Sequence, residues 1–167
     1  MYNTYIFENE LNEYINNKHL EYQELIKKEN LNVNSFNATY EISEYQGIYS
    51  IHIIFLYFTG GAHNIREDKI FYYNSYTKKW LTLDDIIKDR DTFYTSILTL
   101  SLKELEKQKE LLFDDYKNNL SKEAFQYIMF SSDEVKVIFP PYTVGPWSSG
   151  EIDILIPIKH LSNNLLI

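Results

Sequence analysis

The sequence predicts an α+β domain: a mostly antiparallel sheet of five or six strands with two long helices packed on one face. Apolar residues at Phe7, Leu11, Tyr14, Ile15, Tyr22, Leu25 and Ile26 recur in steps that keep them on one stripe of a helix over 7–28. Between 36 and 76 the pattern changes to alternating or continuous apolar and aromatic runs, interrupted at Gln46-Gly47 and Gly60-Gly61. Glycine reaches positive φ without a Cβ clash, so such interruptions reverse a β-ribbon. Helical spacing returns over 91–113, at Phe93, Ile97, Leu100, Leu105 and Leu112.

The remaining elements follow in order. Four asparagines in 30–37 break the first helix and read as a loop. Phe36, Ala38, Tyr40 and Ile42 alternate with polar residues, as in a strand with one wet face. The run 48–58 carries Ile53-Ile54-Phe55-Leu56, apolar on both faces, and reads as the most buried, central strand. A strand over 69–76 follows the Gly-Gly turn, and 80–83 is a further short one. Thr82 before Asp84-Asp85 is an N-cap with acids in the first turn of a short helix. Lys and Glu alternate over 103–110 at spacings that suit a solvated helix face. Strands over 125–130 and 135–139 flank the polar turn 131–134. Pro140-Pro141 stops the second of these, because neither residue can donate to a ladder. Ile152, Ile154 and Ile156 form a last strand, and 161–167 is a short tail. No repeat or linker interrupts the chain, so a single domain over 1–167 is expected, with its N-terminal helix in 1–30 and its sheet in 36–83 and 125–157.

Composition narrows the function classes. Twenty-four acidic residues against sixteen basic ones give a net charge of −8, which argues against nucleic acid and favours cationic partners. There are no cysteines, hence no disulfide, thiolate metal site or thiol nucleophile. No stretch reaches about 18 uninterrupted apolar residues, and Met1–Tyr5 lacks the basic and apolar regions of a signal peptide. Fifteen Tyr and ten Phe exceed what recognition alone could use, so most belong to the core or the sheet faces.

No catalytic or cofactor motif stands out. The four histidines are scattered, and the best local metal set, His63 with Glu67 and Asp68, is of a kind that arises by chance. The stretch 145–150 misses the spacing of a serine nucleophile elbow, and Gly60-Gly61 does not open a helix as a phosphate loop would. A non-catalytic domain without metal or cofactor is expected. The proline-stiffened segment 140–149 is the candidate binding face, with Pro140, Pro141, Tyr142, Pro146, Trp147 and Ser148 its candidate residues. Rigid aromatics are good interface anchors because ordering them costs little entropy. The alternative is that Tyr142 or Trp147 folds back to plug the core. Thr59, His63 and Asn64, at the Gly-Gly turn, are secondary candidates; His63 is expected to bond locally, with Gly60 or Gly61 at positive φ.

Three ordered motifs carry a resemblance. F-T-G-G-A-H-N at 58–64, W-L-T-L-D-D-I at 80–86 and F-P-P-Y-T-V-G-P-W-S-S-G at 139–150 resemble the DUF3298 family, over about 37–161. The first helix resembles the end of the DUF4163 region that usually precedes it. The resemblance implies an extracytoplasmic binding domain of a Gram-positive bacterium. It further implies a protein-recognition role like that of the lysozyme-sensing ectodomains of anti-sigma factors, in cell-envelope stress sensing. The alternative it implies is a peptidoglycan-binding module accessory to a cell-wall deacetylase. The implied partners are a cationic protein such as lysozyme, or peptidoglycan.

Overall fold

Residues 7–31 and 35–166 are described by a computed structural model of the chain. The first residues of the predicted N-terminal region (1–6), the middle of the asparagine loop (32–34) and the last residue of the tail (167) lie outside the described residues. Helix α1 runs over Glu8–Glu29. It is followed by strands β1 (Ser35–Tyr45), β2 (Ile48–Phe58), β3 (Ile65–Asn74) and β4 (Lys79–Leu81). Helix α2 spans Arg90–Leu105, and β5 (Tyr127–Phe130), β6 (Glu134–Phe139) and β7 (Ile152–Pro157) complete the strands.

The α+β class holds, but the strands form two sheets rather than one sheet of five or six. The first has the order β1-β2-β3-β4 and the second the order β5-β6-β7. Consecutive strands pair within each set, β6 and β7 across the long loop 140–151, whereas helical chain separates Leu81 from Tyr127. Alternation in a sequence marks a strand without naming its partner, so the division was invisible there. Strand β2 lies between β1 and β3, as its two apolar faces suggested, with the consecutive residues Ser50, Ile51, His52 and Ile53 all buried. Its turn from β1 places Gln46 and Gly47 at φ 49° and 79°, the paired positive values of a primed hairpin turn whose twist matches the strands.

The chain divides into two compact units. One comprises the described residues up to Glu41 with Ile53–Lys69; the other comprises Ile42–His52 and the chain from Ile70 onward. In the first unit α1 buries Leu11 and Tyr22. Tyr22 meets Phe36 and Tyr57 at ring-centroid distances of 5.5 and 5.2 Å, while Phe55 meets Phe36 at 5.8 Å and Tyr14 at 6.1 Å. The Tyr22 hydroxyl donates to the Phe58 carbonyl at 2.9 Å and accepts from the Ser35 N–H at 3.1 Å. A buried phenol needs such partners, since leaving its oxygen unpaired forfeits hydration without return.

The second unit holds the larger core. Helix α2 packs against β7. It begins at Asp89, whose carboxylate accepts the Thr92 N–H at 2.8 Å, and it buries Phe93, Ile97, Ser101 and Leu105 at four-residue steps. Phe93, Ile97 and Leu105 join Phe130, Val135, Val137 and Ile154 of the β5-β6-β7 sheet, where Val137 lies opposite both Ile128 and Ile154. The helix expected to run to 113 instead stops at Leu105 and tightens into a 3-10 turn over Glu106–Leu111, broken at Gln108 (φ −117°, ψ 26°). Tertiary bonds outweigh propensity here. The Gln108 amide donates to the Asp153 carbonyl at 3.1 Å, and the Tyr116 hydroxyl donates to Glu106 at 3.1 Å. The charged side chains Lys103, Glu106, Lys107, Lys109 and Glu110 stay exposed, as their spacing suggested. Before α2, Thr82 and Asp85 complete a capping box: the Asp85 carboxylate accepts the Thr82 N–H at 2.8 Å.

One polar contact in this core has a measurable consequence. Tyr72 is buried, and its hydroxyl donates to the Ile128 carbonyl at 2.7 Å. Burial drives its ionisation far above the ordinary phenol value. Tyr72→Phe keeps the ring and strands the carbonyl, so chemical denaturation should show a loss of about 1–3 kcal/mol with an unchanged m-value. A neutral substitution would mean that water replaces the hydroxyl.

Candidate functional site

Pro140 closes β6 and begins a tight turn. The Thr143 N–H donates to the Pro140 carbonyl at 3.1 Å, Pro141 occupies the second turn position, and Tyr142 sits at the third with φ 73°. That is the pattern of a type II turn, whose third position ordinarily takes glycine because an L side chain is strained there. The Tyr142 N–H is held by the Gly145 carbonyl at 2.8 Å, while the ring stands 57% exposed. Tyr142 is therefore not a core plug. Trp147, half-buried, opens a 3-10 turn over Trp147–Ser149, and its ring lies 6.1 Å from that of Tyr142 at an interplanar angle of 36°. Pro140, Pro141 and Pro146 are half-buried, and Ser148 is exposed.

The loop is pinned to the segment after α2. Val144 is fully buried and its carbonyl accepts the Phe113 N–H at 3.0 Å. The Ser149 hydroxyl donates to the Leu111 carbonyl at 2.8 Å. Between these bonds Gly145 comes so close that a Cβ on it would stand 2.4 Å from the Leu111 oxygen. Beyond the loop, burial raises the Asp153 carboxyl above the ordinary range, against the pull of Lys136 at 3.0 Å and with a further push from Glu151.

The secondary candidates fall in the other unit. Gly60 has φ 94°, and His63, exposed, lies with Nδ1 2.9 Å from the Asn64 carbonyl oxygen, so both local expectations at this turn hold. Thr59 is half-buried and Asn64 exposed. Of the sequence-derived metal set, Asp68 is engaged by Arg66, whose Nη2 and Nε donate to its two oxygens at 2.6 and 2.7 Å. The sequence reading passed over a constellation in the first unit: Tyr22, Phe36, Phe55 and Tyr57 beside the ion pair of Lys18 and Glu67. Its signal was present, since Phe55 and Tyr57 are two apart on a strand and Lys18 and Tyr22 four apart on a helix.

Because the loop rests on backbone contact, Gly145→Ala should destabilise the fold by about 2 kcal/mol through the clash with Leu111. Thermal denaturation with a wild-type-like stability would show that the two segments separate easily.

Comparison with known proteins places this architecture. The chain is similar to the peptidoglycan-N-acetylmuramic acid deacetylase PdaC of Bacillus subtilis (strain 168), 29% identical over 139 residues that make up 80% of this chain and 29% of that protein. It thus spans less than a third of that relative. Among solved structures, a DUF3298 family protein from Pseudomonas aeruginosa PAO1 matches 79% of this chain and 62% of its own, with a TM-score of 0.66 at 19% identity. A DUF3298 member from Bacteroides fragilis NCTC 9343 matches 95% of this chain and 66% of its own, with a TM-score of 0.57 at 18% identity. At these identities the two structures establish a shared fold. Residues 84–159, which run from the capping box through α2 and the aromatic loop, match the profile of DUF3298, a protein family of unknown function.

Proposed function

We propose that this chain is a non-catalytic recognition domain that works at the bacterial cell wall, with peptidoglycan as its ligand and the loop 140–149 as its contact surface. The observation that carries this reading is Tyr142. A non-glycine residue is kept at φ 73° and its ring is kept 57% exposed, where glycine would relieve the strain and a smaller side chain would serve the fold as well. Strain of this kind persists where the presented side chain is useful. With Trp147 at 6.1 Å, the ring offers a rigid aromatic pair on which the apolar face of a sugar ring can rest. Similarity to part of a peptidoglycan deacetylase supports the choice of ligand and suits an accessory domain. It also supports an extracytoplasmic location. No described helix is long and apolar enough to cross a membrane.

The net charge of −8 favours a second reading, in which the same loop grips a cationic protein such as lysozyme. Carboxylates would then steer the encounter, and association would slow as salt is added.

Two variants test the surface. Tyr142→Gly should leave stability unchanged or raise it by up to about 1 kcal/mol, since the strain is relieved. Together with Trp147→Ala it should weaken sedimentation with purified peptidoglycan by about thirtyfold, the usual cost of losing central anchors. Binding of lysozyme alone, lost in both variants and weakened by salt, would select the second reading. Retention of peptidoglycan binding by both folded variants would remove the loop from the site.

A further inference from the structure

The first unit contains a cavity of about 170 Å³ lined wholly by its own residues. Tyr22, Phe36, Phe55 and Tyr57 form the walls, and Lys18 and Glu67 stand at the edge. The walls are rigid: the Tyr22 hydroxyl is bonded on both sides, Phe55 is 1% exposed, and His19 stacks on the outer side of Phe36 at 4.9 Å. A cavity of roughly 150 Å³ accepts one six-membered ring. This one has room for such a ring, and substituents can project past Glu21, which is 65% exposed.

The edge determines which ring. Lys18 pairs with Glu21 at 3.0 Å and Glu67 at 3.2 Å, and Lys69 reaches Glu67 at 3.4 Å. An ammonium has three donors, of which two are used, and a carboxylate has about four acceptor sites, so both retain capacity. The carboxylates, Glu21 first, hold the Lys18 pKa above its ordinary value, which keeps the ammonium charged. The Tyr57 hydroxyl has no hydrogen-bond partner among the described residues. Carboxylates on both sides of Lys18 repel an anionic ligand, and Lys18 with Lys69 repels a cationic one. A wholly apolar ligand would desolvate the ion pair without return. What fits is a neutral ring with an apolar face and a donor and an acceptor set side by side. A secondary amide on a pyranose has that character, its N–H directed to Glu67 and its carbonyl to Lys18.

We propose that this cavity is a binding subsite for a neutral N-acylated amino sugar, its ring stacked on the aromatic walls and its amide held between Lys18 and Glu67. The inference deepens the wall-binding reading by adding a second point of contact, independent of the loop 140–149.

The test is a titration of the full chain with N-acetylglucosamine, followed by amide chemical shifts in solution, with glucosamine as the cationic control. N-acetylglucosamine should produce saturable shifts at 18–25, 36 and 55–57, and glucosamine should not. Glu67→Gln and Lys18→Met should each weaken binding about tenfold while the remaining amide signals stay in place, as expected for loss of one charge-assisted bond. Leu25→Trp, which fills the cavity from α1, should abolish it. Equal binding of glucosamine, wild-type affinity in the charge variants, or no saturable shifts around the cavity would each overturn the assignment. Shifts confined to 140–149 would overturn the cavity and leave the wall-binding reading intact. Saturation at the cavity, in a chain that does not sediment with peptidoglycan, would support the cavity and sink the wall-binding reading.

Discussion

The exposed loop of this protein depends on one close approach of backbone to backbone. Neither 111–113 nor 144–149 forms part of a ladder, yet buried N–H and C=O groups in irregular chain must still find partners. They find them in each other, through Phe113 to Val144 and Ser149 to Leu111. The contact needs a residue with no side chain, and Gly145 is that residue. Val144 then drops into the core while Tyr142, three residues before Gly145, is turned outward. Presentation of the aromatic pair is thus a consequence of where the backbone is tied.

The two units solve the problem of presenting aromatics in different ways. In the second unit, rigidity comes from a strained turn: Pro141 sets one dihedral, and the bonds on either side of Tyr142 hold another that its side chain disfavours. In the first unit rigidity comes from packing, with four rings in mutual contact and a phenol bonded at both ends. Either route lowers the entropy lost on binding, because the rings are ordered before a ligand arrives.

Charge adds selectivity to that shape. A net charge of −8 sets a long-range preference for cationic partners, an effect that salt weakens. At the Lys18 cluster the local balance is different: cations and carboxylates alternate within 3.0–3.4 Å, and the cluster is close to neutral. Overall charge therefore governs which molecules approach, and local pairing governs which atoms are recognised.

Much of the architecture was legible in the residues. Helical stripes in α1 and α2, the boundaries of β2, the capping box at Thr82 and Asp85, and the positive φ at Gly60 all follow from local chemistry, because each depends on residues a few positions apart. The aromatic loop was also legible, since prolines and large rings in irregular chain are visible without a partner. Other features required the fold. Which strands share a sheet depends on hydrogen bonds between distant segments, and the early end of α2 depends on Gln108 reaching Asp153. The exposure of Tyr142 depends on Gly145 meeting Leu111. The cavity beside Lys18 draws on α1, β1, β2 and β3, and residues so far apart in sequence acquire a common chemistry only when packing brings them together.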